Sequence, residues 1–309
     1  MKKTAKIYIA GHRGMVGSAI ERKLRKEGYN NIVTRISQEL DLRNQKAVCK
    51  FFEQEKPEYV ILAAAKVGGI QANVKRPAEF LYDNLQIQNN IIHQSYISKV
   101  KKLVFLGSSC IYPRDSPQPM KEEYILSGKL EPTNEAYAIA KIAGLKLCQS
   151  YKKQFGFNCI SVMPCNLYGP NDSFDLENSH VLSALVKRFC DAKSSGLKEI
   201  TLWGSGNARR EFMHVDDLAS AIRLLIDIYD DSEIINVGWG TDVSIKELAK
   251  LISLKTGFQG EIRWDSNKPD GMLKKCMDVA KMKSYGVIPQ IGLVEGIEEI
   301  ILNYQSLNK

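Results

Sequence analysis

Tyr137 and Lys141 stand four residues apart, the spacing that puts two side chains on one face of a helix. A free phenol, with a pKa of about 10, transfers protons poorly at neutral pH, and an ammonium one turn away favours the phenolate. The same ammonium can hydrogen-bond a ribose. Upstream, the apolar run 103–107 leads into Leu106-Gly107-Ser108-Ser109-Cys110-Ile111-Tyr112-Pro113. In open parallel sheets, ligands bind at strand C-terminal ends. Ser108 is therefore placed to hydrogen-bond the same substrate oxygen as Tyr137. A Y-x-x-x-K spacing arises by chance, so each signal gains weight from order and context.

A second constellation is Gly11-His12-Arg13-Gly14-Met15-Val16-Gly17, between an apolar run and a helical pattern. Glycine is needed where a chain turns sharply and its backbone approaches a pyrophosphate. The helix start then offers N–H donors and partial positive charge to that anion. His12 reads as a residue that orients backbone. The next strand ends Val33-Thr34-Arg35-Ile36-Ser37, with no acid until Glu39 to take the ribose 2′-hydroxyl of NAD. Arg13 and Arg35 can instead hold a 2′-phosphate, which favours NADP(H); the alternative for both is solvated surface charge. Asp41, followed by Leu42, is placed to meet the adenine amino group.

The elements that must position these residues alternate. Strands are predicted over 6–10, 31–36, 59–63, 103–107 and 159–163, and helices over 15–27, 45–54, 78–98 and 135–155, with Thr133 capping the last. Continuous apolar strands separated by helices imply α/β architecture, a doubly wound parallel sheet covered on both faces. After Pro164 the pattern breaks: 166–179 reads as a loop and 180–192 as a helix. A strand follows over 199–203, then a helix capped by Asp216 and Asp217 that runs to Tyr229, and a strand over 234–237. Ser244-Ile245-Lys246-Glu247 is a capping box opening a helix to Thr256, and a last helix covers 293–304. The expected division is a dinucleotide-binding Rossmann domain over 1–165, with segments returning near 211–240, and a smaller α/β substrate domain over 166–309.

Composition narrows the class. The chain has 309 residues, 44% hydrophobic and 25% charged, which excludes a disordered chain, a collagen-like repeat and a coiled-coil rod. No apolar run approaches the ~20 residues of a membrane span, and the four apolar residues 7–10 are too few for a signal peptide, so the expected location is the cytosol. The net charge of +8 invites a nucleic-acid reading, but the basic clusters are pairs such as Lys2-Lys3 and Arg209-Arg210, so no nucleic acid is expected. Seven cysteines without C-x-x-C spacing argue against a disulfide framework. His12, His93, His180 and His214 show no metal-ligand spacing, and no metal is expected; His93 and His214 read as structural.

The segments GHRGMVGSA (11–19), LAAAKVGGI (62–70), FLGSSCIYP (105–113), LEPTNEAYAIAKIAG (130–144), NLYGP (166–170) and REFMHVDD (210–217) resemble the extended short-chain dehydrogenase/reductases that act on nucleotide sugars. The resemblance covers nearly the whole chain. It is narrowest to the branch that epimerises and reduces a GDP-linked 4-keto-6-deoxy sugar, and the SSCIYP segment discriminates best. It implies Cys110 and His180 as the acid/base pair at C3 and C5, His180 within the matching segment Asn178-Ser179-His180. Ser108 and Tyr137 would hold the developing oxyanion, and Tyr137 with Lys141 would serve reduction at C4. It carries cofactor contacts onto Leu106, Gly107, Ser109, Pro164, Asn166, Leu167 and His180, and substrate contacts onto Arg188, Trp203, Arg210, Asp270 and Lys275. It also implies a homodimer that pairs the two long helices of each sheet domain. Ser37 departs from the pattern, which can place a second 2′-phosphate arginine there. Cys165 departs too, and is expected to be a spectator. The alternatives are another NAD(P)-dependent nucleotide-sugar 4-reductase, epimerase or dehydratase, or a dinucleotide-sensing regulator without catalysis.

Overall fold

The computed structural model describes residues 1–175, 179–268 and 270–307. Strand β1 (Ile7–Ala10), four consecutive buried residues, leads through helix α1 (Met15–Lys26) to β2 (Ile32–Val33). The Asn44 side chain caps α2 (Gln45–Glu55), which returns to β3 (Tyr59–Leu62). Helices α3 (Ile70–Lys75) and α4 (Pro77–Ile97) precede β4 (Lys102–Leu106), and α5 (Glu135–Phe155) precedes β5 (Cys159–Pro164). Then come β6 (Asn166–Tyr168), α6 (Val181–Ser194), β7 (Glu199–Trp203), β8 (Arg209–His214), α7 (Val215–Ile228) and β9 (Ile235–Val237). The chain ends with β10 (Asp242–Ser244), α8 (Ile245–Thr256), β11 (Glu261–Asp265), β12 (Lys274–Lys275), α9 (Ala280–Ser284) and α10 (Leu293–Leu307).

Six strands form one sheet in the order β2-β1-β3-β4-β5-β9, every pair parallel. Helix α1 packs on α7, while α2, α4 and α5 lie side by side, so both faces are covered, as a doubly wound sheet of buried apolar strands requires. A second core gathers Tyr168, Leu182, Phe189, Leu248, Ile252 and Ile297. There β8 is central: it pairs antiparallel with β10 and parallel with β12 and β6. Among the described residues, no helix is long and apolar enough to cross a membrane.

Local differences from the sequence reading have local causes. The strand expected over 31–36 is only Ile32–Val33, because the chain turns at Ile36, whose carbonyl accepts from the Glu39 and Leu40 amides. The loop expected over 166–179 opens with β6, which pairs with β8. Thr133 is not the cap of α5: it sits in a 3-10 turn whose Thr133 amide and hydroxyl both donate to the Glu131 carboxylate. Asp216 and Asp217 occupy the first turn of α7, and the cap is His214, whose Nδ1 accepts from the Asp216 amide at 3.3 Å. The capping box at Ser244 is present in full. Asn178 lies outside the described residues.

Buried Asn236 on β9 joins three segments. It accepts from the Tyr112 hydroxyl at 2.5 Å and donates to the carbonyls of Met120 at 3.0 Å and Asp278 at 3.1 Å. Asn236→Ala leaves those three groups short of a partner and is expected to lower stability by about 2–4 kcal/mol, read from urea unfolding; a loss below about 0.5 kcal/mol would show that the network carries little.

Candidate functional site

The sheet brings its chemistry-bearing residues to strand C-terminal ends. After β1, Gly11 takes φ +87°, and a Cβ on it would fall 2.7 Å from the Ala64 amide nitrogen. A Cβ on Gly17 would fall 2.2 Å from the Gly11 carbonyl oxygen, so α1 lies directly on the turn. Gly14 is the N-cap, with no side-chain cap and no acid in the first turn. The helix start thus keeps its positive end for an anion, and the cradle fits a dinucleotide pyrophosphate. Among the described residues the buried His12 Nδ1 has no hydrogen-bond partner. Met15 and Val16 pack on the core, and Arg13 is exposed. Arg35 donates to Glu55, and Asp41 accepts from the Arg43 amide and guanidinium. The Leu42 carbonyl accepts from Asn90.

At the end of β4, Gly107 donates its amide to the Val162 carbonyl, and extended Ser108 starts a 3-10 turn over Ser109–Ile111. The Ser108 hydroxyl accepts from the Cys110 amide at 3.3 Å. Ser109 and Cys110 are buried. From α5, buried Lys141 donates its ammonium to the Leu106 carbonyl at 2.8 Å. Its Nζ lies 5.7 Å from the Tyr137 ring centroid, and Phe80 meets that ring edge-on at 6.4 Å. The approach of α5 depends on Gly144, where a Cβ would collide with Gln88 of α4 and Phe105 of β4.

Burial sets the charges. Desolvation lowers the Lys141 pKa to about 8, opposed by attraction to Cys110. It pushes the Tyr137 phenol up, and Cys110 adds to that rise. The sequence argument expected the lysine to lower the phenol, but here the ammonium is spent on the Leu106 carbonyl and enclosure dominates. Burial also raises the Cys110 thiol, opposed by Lys275, Ser108 and Lys141.

Lys275 reaches this group because β12 pairs with β8, Lys275 opposite Arg210. Burial pushes Lys275 down, partly offset by Cys110. Arg210 donates to the carbonyls of Arg209 at 2.8 Å and Asp270 at 3.1 Å. The Asp270 carboxylate is held by the Ser205 amide and hydroxyl, at 2.8 and 2.7 Å. Pro164 pairs with Val237, buried Leu167 lies on β6, and the Asn166 amide donates to the Glu211 carbonyl. Trp203 is exposed, with Arg188 6.0 Å from its ring centroid.

Ser108, Cys110, Tyr137, Lys141, Lys275 and Arg210 therefore form one neighbourhood. His180 stands apart as the N-cap of α6, and its described contact is Asp172, with Nδ1 3.4 Å from Oδ1. Asp172 also accepts from Ser183. Its carboxylate holds the imidazole pKa above the ordinary value, against the effect of burial. Sequence reasoning missed Asp172, since nothing in the Asn- and Asp-rich stretch marks one acid as the partner. It also missed Glu211, whose 1% exposure no motif position announces.

A parallel sheet with a glycine cradle after its first strand, and Ser, Tyr and Lys gathered at its fourth, defines a dinucleotide-dependent oxidoreductase of the short-chain type. The chain belongs to the NAD dependent epimerase/dehydratase family, whose pattern matches residues 7–238. It is 56% identical to GDP-L-fucose synthase 1 of Arabidopsis thaliana, over 96% of this chain and 92% of that one. It is 48% identical to the GDP-L-fucose synthase of Escherichia coli strain K12, over 94% of each. Among solved structures, the GDP-mannoheptose C4 reductase MlghC from Campylobacter jejuni, with NADP bound, superposes with a TM-score of 0.90 at 41% identity, over 99% of both chains.

Asp172→Asn removes the anion that favours the imidazolium, so the His180 titration moves down in pH. Histidine NMR titrations of the parent and variant, assigned with His180→Gln, check this; an unmoved resonance would clear Asp172 of the role.

Proposed function

We propose that this chain makes GDP-L-fucose, the product for which its Arabidopsis and E. coli relatives are named, by 3,5-epimerisation of GDP-4-keto-6-deoxy-D-mannose followed by NADPH-dependent reduction at C4. The observation that supports it best is the buried Cys110 thiol two residues past Ser108, within the fields of Lys275 and Lys141. A reduction alone needs a proton donor and a hydride; a further acid/base at the same strand end suits epimerisation.

The 4-ketone acidifies the protons at C3 and C5, and their removal leaves an enolate that needs electrostatic stabilisation. Inversion needs proton removal on one face and return on the other, the role of Cys110 and His180. The two ammoniums near Cys110 favour its thiolate. Ser108 and Tyr137 donate to the oxyanion. NADPH, when bound, supplies the hydride to C4. Tyr137, kept protonated by burial, gives the oxygen its proton, and Lys141 orients the ribose. Arg188, Arg210 and Lys275 supply cations to the diphosphate, with Trp203 against the base or sugar. Residues 1–165 with the returning segments hold the cofactor, and 166–309 the nucleotide sugar. Exposed Tyr82, Ile97, Ile139 and Phe155 on α4 and α5 suit pairing with a second copy, a homodimer. Seven free cysteines suit the reducing cytosol. The likeness to a C4 reductase supports a second reading, reduction without epimerisation.

Incubation with the keto-sugar and NADPH separates the readings: GDP-L-fucose supports the first, and a product unepimerised at C3 and C5 the second. Cys110→Ser is expected to stop solvent deuterium entering C3 and C5 while NADPH affinity holds. Tyr137→Phe should cut reduction by roughly 10²–10⁴-fold while leaving some exchange, since Ser108 still donates to the oxyanion. Turnover should fall as pH rises through about 8, where Lys141 loses its proton, and a flat profile to pH 9.5 would remove the ammonium from the mechanism.

A further inference from the structure

The exposed indole of Trp203 has neighbours that no motif announces. Strands β7 and β11 pair in parallel, with Leu202 opposite Trp264 and Trp203 opposite Asp265. Residues in register share a face of the sheet, and the next pair takes the other face. Leu202 and Trp264 join the second core, so Trp203 and Asp265 face outward together. The Asp265 carbonyl accepts from the amide of Gly204, the residue after Trp203, at 3.0 Å, and from the Lys268 amide at 3.1 Å. That one oxygen turns the chain back beside the end of β7. The Lys268 ammonium is thereby brought 5.5 Å from the Trp203 ring centroid.

Both charged groups keep capacity to spare. One Asp265 carboxylate oxygen accepts from the Asn267 amide at 3.1 Å, and the other has no partner among the described residues. Lys268 is exposed and makes no ion pair among them. An aromatic face flanked by a free ammonium and a half-used carboxylate suits a nucleobase better than a sugar. Any base stacks on an indole. Guanine adds an edge on which the O6 acceptor lies beside the N1–H and N2–H donors. The ammonium matches O6, and the carboxylate matches the two N–H groups. Adenine reverses the pattern, with an amino group toward the ammonium and a bare N1 toward the carboxylate.

Two residues beyond Lys268, Asp270 ties the same piece of chain to a diphosphate cation. Its carbonyl accepts from the Arg210 guanidinium at 3.1 Å, and its carboxylate accepts from the Ser205 amide at 2.8 Å. Base position and phosphate cation are thus built on one folded segment, as a nucleoside diphosphate requires.

We propose that Asp265 and Lys268 read the edge of a guanine stacked on Trp203, and that this pair makes the site select guanine nucleotides. The inference rests on the GDP-sugar reading above and names the residues that choose the base.

The test is calorimetry on the full chain with GDP, IDP, ADP and xanthosine diphosphate. IDP lacks only the 2-amino group of GDP, and xanthosine diphosphate carries an oxygen in its place. In the parent, GDP is expected to bind about tenfold more tightly than IDP and about a hundredfold more tightly than ADP, the scale of one and of two charged hydrogen bonds. Asp265→Asn keeps an oxygen for the Asn267 amide but turns an N–H2 group toward the base. It should lose the preference for GDP over IDP and bind xanthosine diphosphate about tenfold more tightly than the parent does. Lys268→Met keeps the stem without the donor and should cut the GDP-over-ADP ratio about tenfold, with Lys268→Arg restoring most of it. Trp203→Leu should weaken all four nucleotides alike. NADPH affinity reports that each variant is folded. A GDP-over-IDP preference that survives Asp265→Asn overturns the inference, as does a GDP-over-ADP ratio that Lys268→Met leaves within about twofold; in both cases tight GDP binding by the parent leaves the GDP-sugar reading standing. A parent that binds ADP as tightly as GDP also overturns it, and if that parent fails to turn over the GDP-linked keto-sugar, the reading beneath it falls too.

Discussion

The hydrogen bond from the Lys141 ammonium to the Leu106 carbonyl fixes the relation between α5 and the end of β4. A charged amine in this position would be costly without a partner, so the helix must deliver it to a strand end, where a carbonyl is free of the ladder. That delivery needs α5 close to the sheet. Gly144 permits it, and Gln88 of α4 donates to the Ala140 carbonyl one turn before Gly144. Once Lys141 is seated, Tyr137 one turn earlier can only face Ser108 and Cys110. Their 3-10 turn starts where β4 stops. The neighbourhood of Ser108, Cys110, Tyr137 and Lys141 is therefore a consequence of one helix docking.

The other half of the site depends on β8. Arg209 to Glu211 pair with β10, Arg209 and Arg210 also pair with β12 on the other side, and Phe212 to His214 pair with β6. Glu211 is buried, and its carboxylate accepts from the amides of Gly240 at 2.6 Å and Met277 at 2.9 Å. Burial raises its pKa while those amides pull it down. The two bonds clamp the segment after β9 and the segment after β12 to one strand, and Lys275 is thereby held beside Cys110. The cation that tempers the thiol arrives through main-chain pairing across the second core, not through its own long side chain alone.

What the sequence made legible was local. Four consecutive apolar residues announce β1 and β3, the glycine spacing announces the cradle, and Ser244 with Glu247 announces a helix start that the structure closes in full. What it hid was any partner chosen by tertiary folding. Glu55 meets Arg35 across 20 residues, and both belong to types usually solvated. Asp172 meets His180 from a loop with several equivalent acids. His214 caps α7 with a ring nitrogen acting as acceptor, a role for which sequence preference points to the aspartates that follow. Three-residue β6 has too few positions for periodicity to register, and only pairing with β8 defines it.

The electrostatics of the neighbourhood carry one further consequence. Its two acids, the Tyr137 phenol and the Cys110 thiol, are both raised by burial, and its two ammoniums, Lys141 and Lys275, are both lowered. Enclosure thus disfavours every charged form at once, and each pair recovers part of the loss only when opposite charges coexist. Ionising the thiol alone makes the phenol harder to ionise, since Cys110 raises Tyr137. A proton leaving through sulfur therefore tightens the hold of the phenol on its own. In the proposed mechanism, where protons leave carbon before one is given to oxygen, that coupling would keep the Tyr137 phenol loaded while Cys110 works as the proposed base.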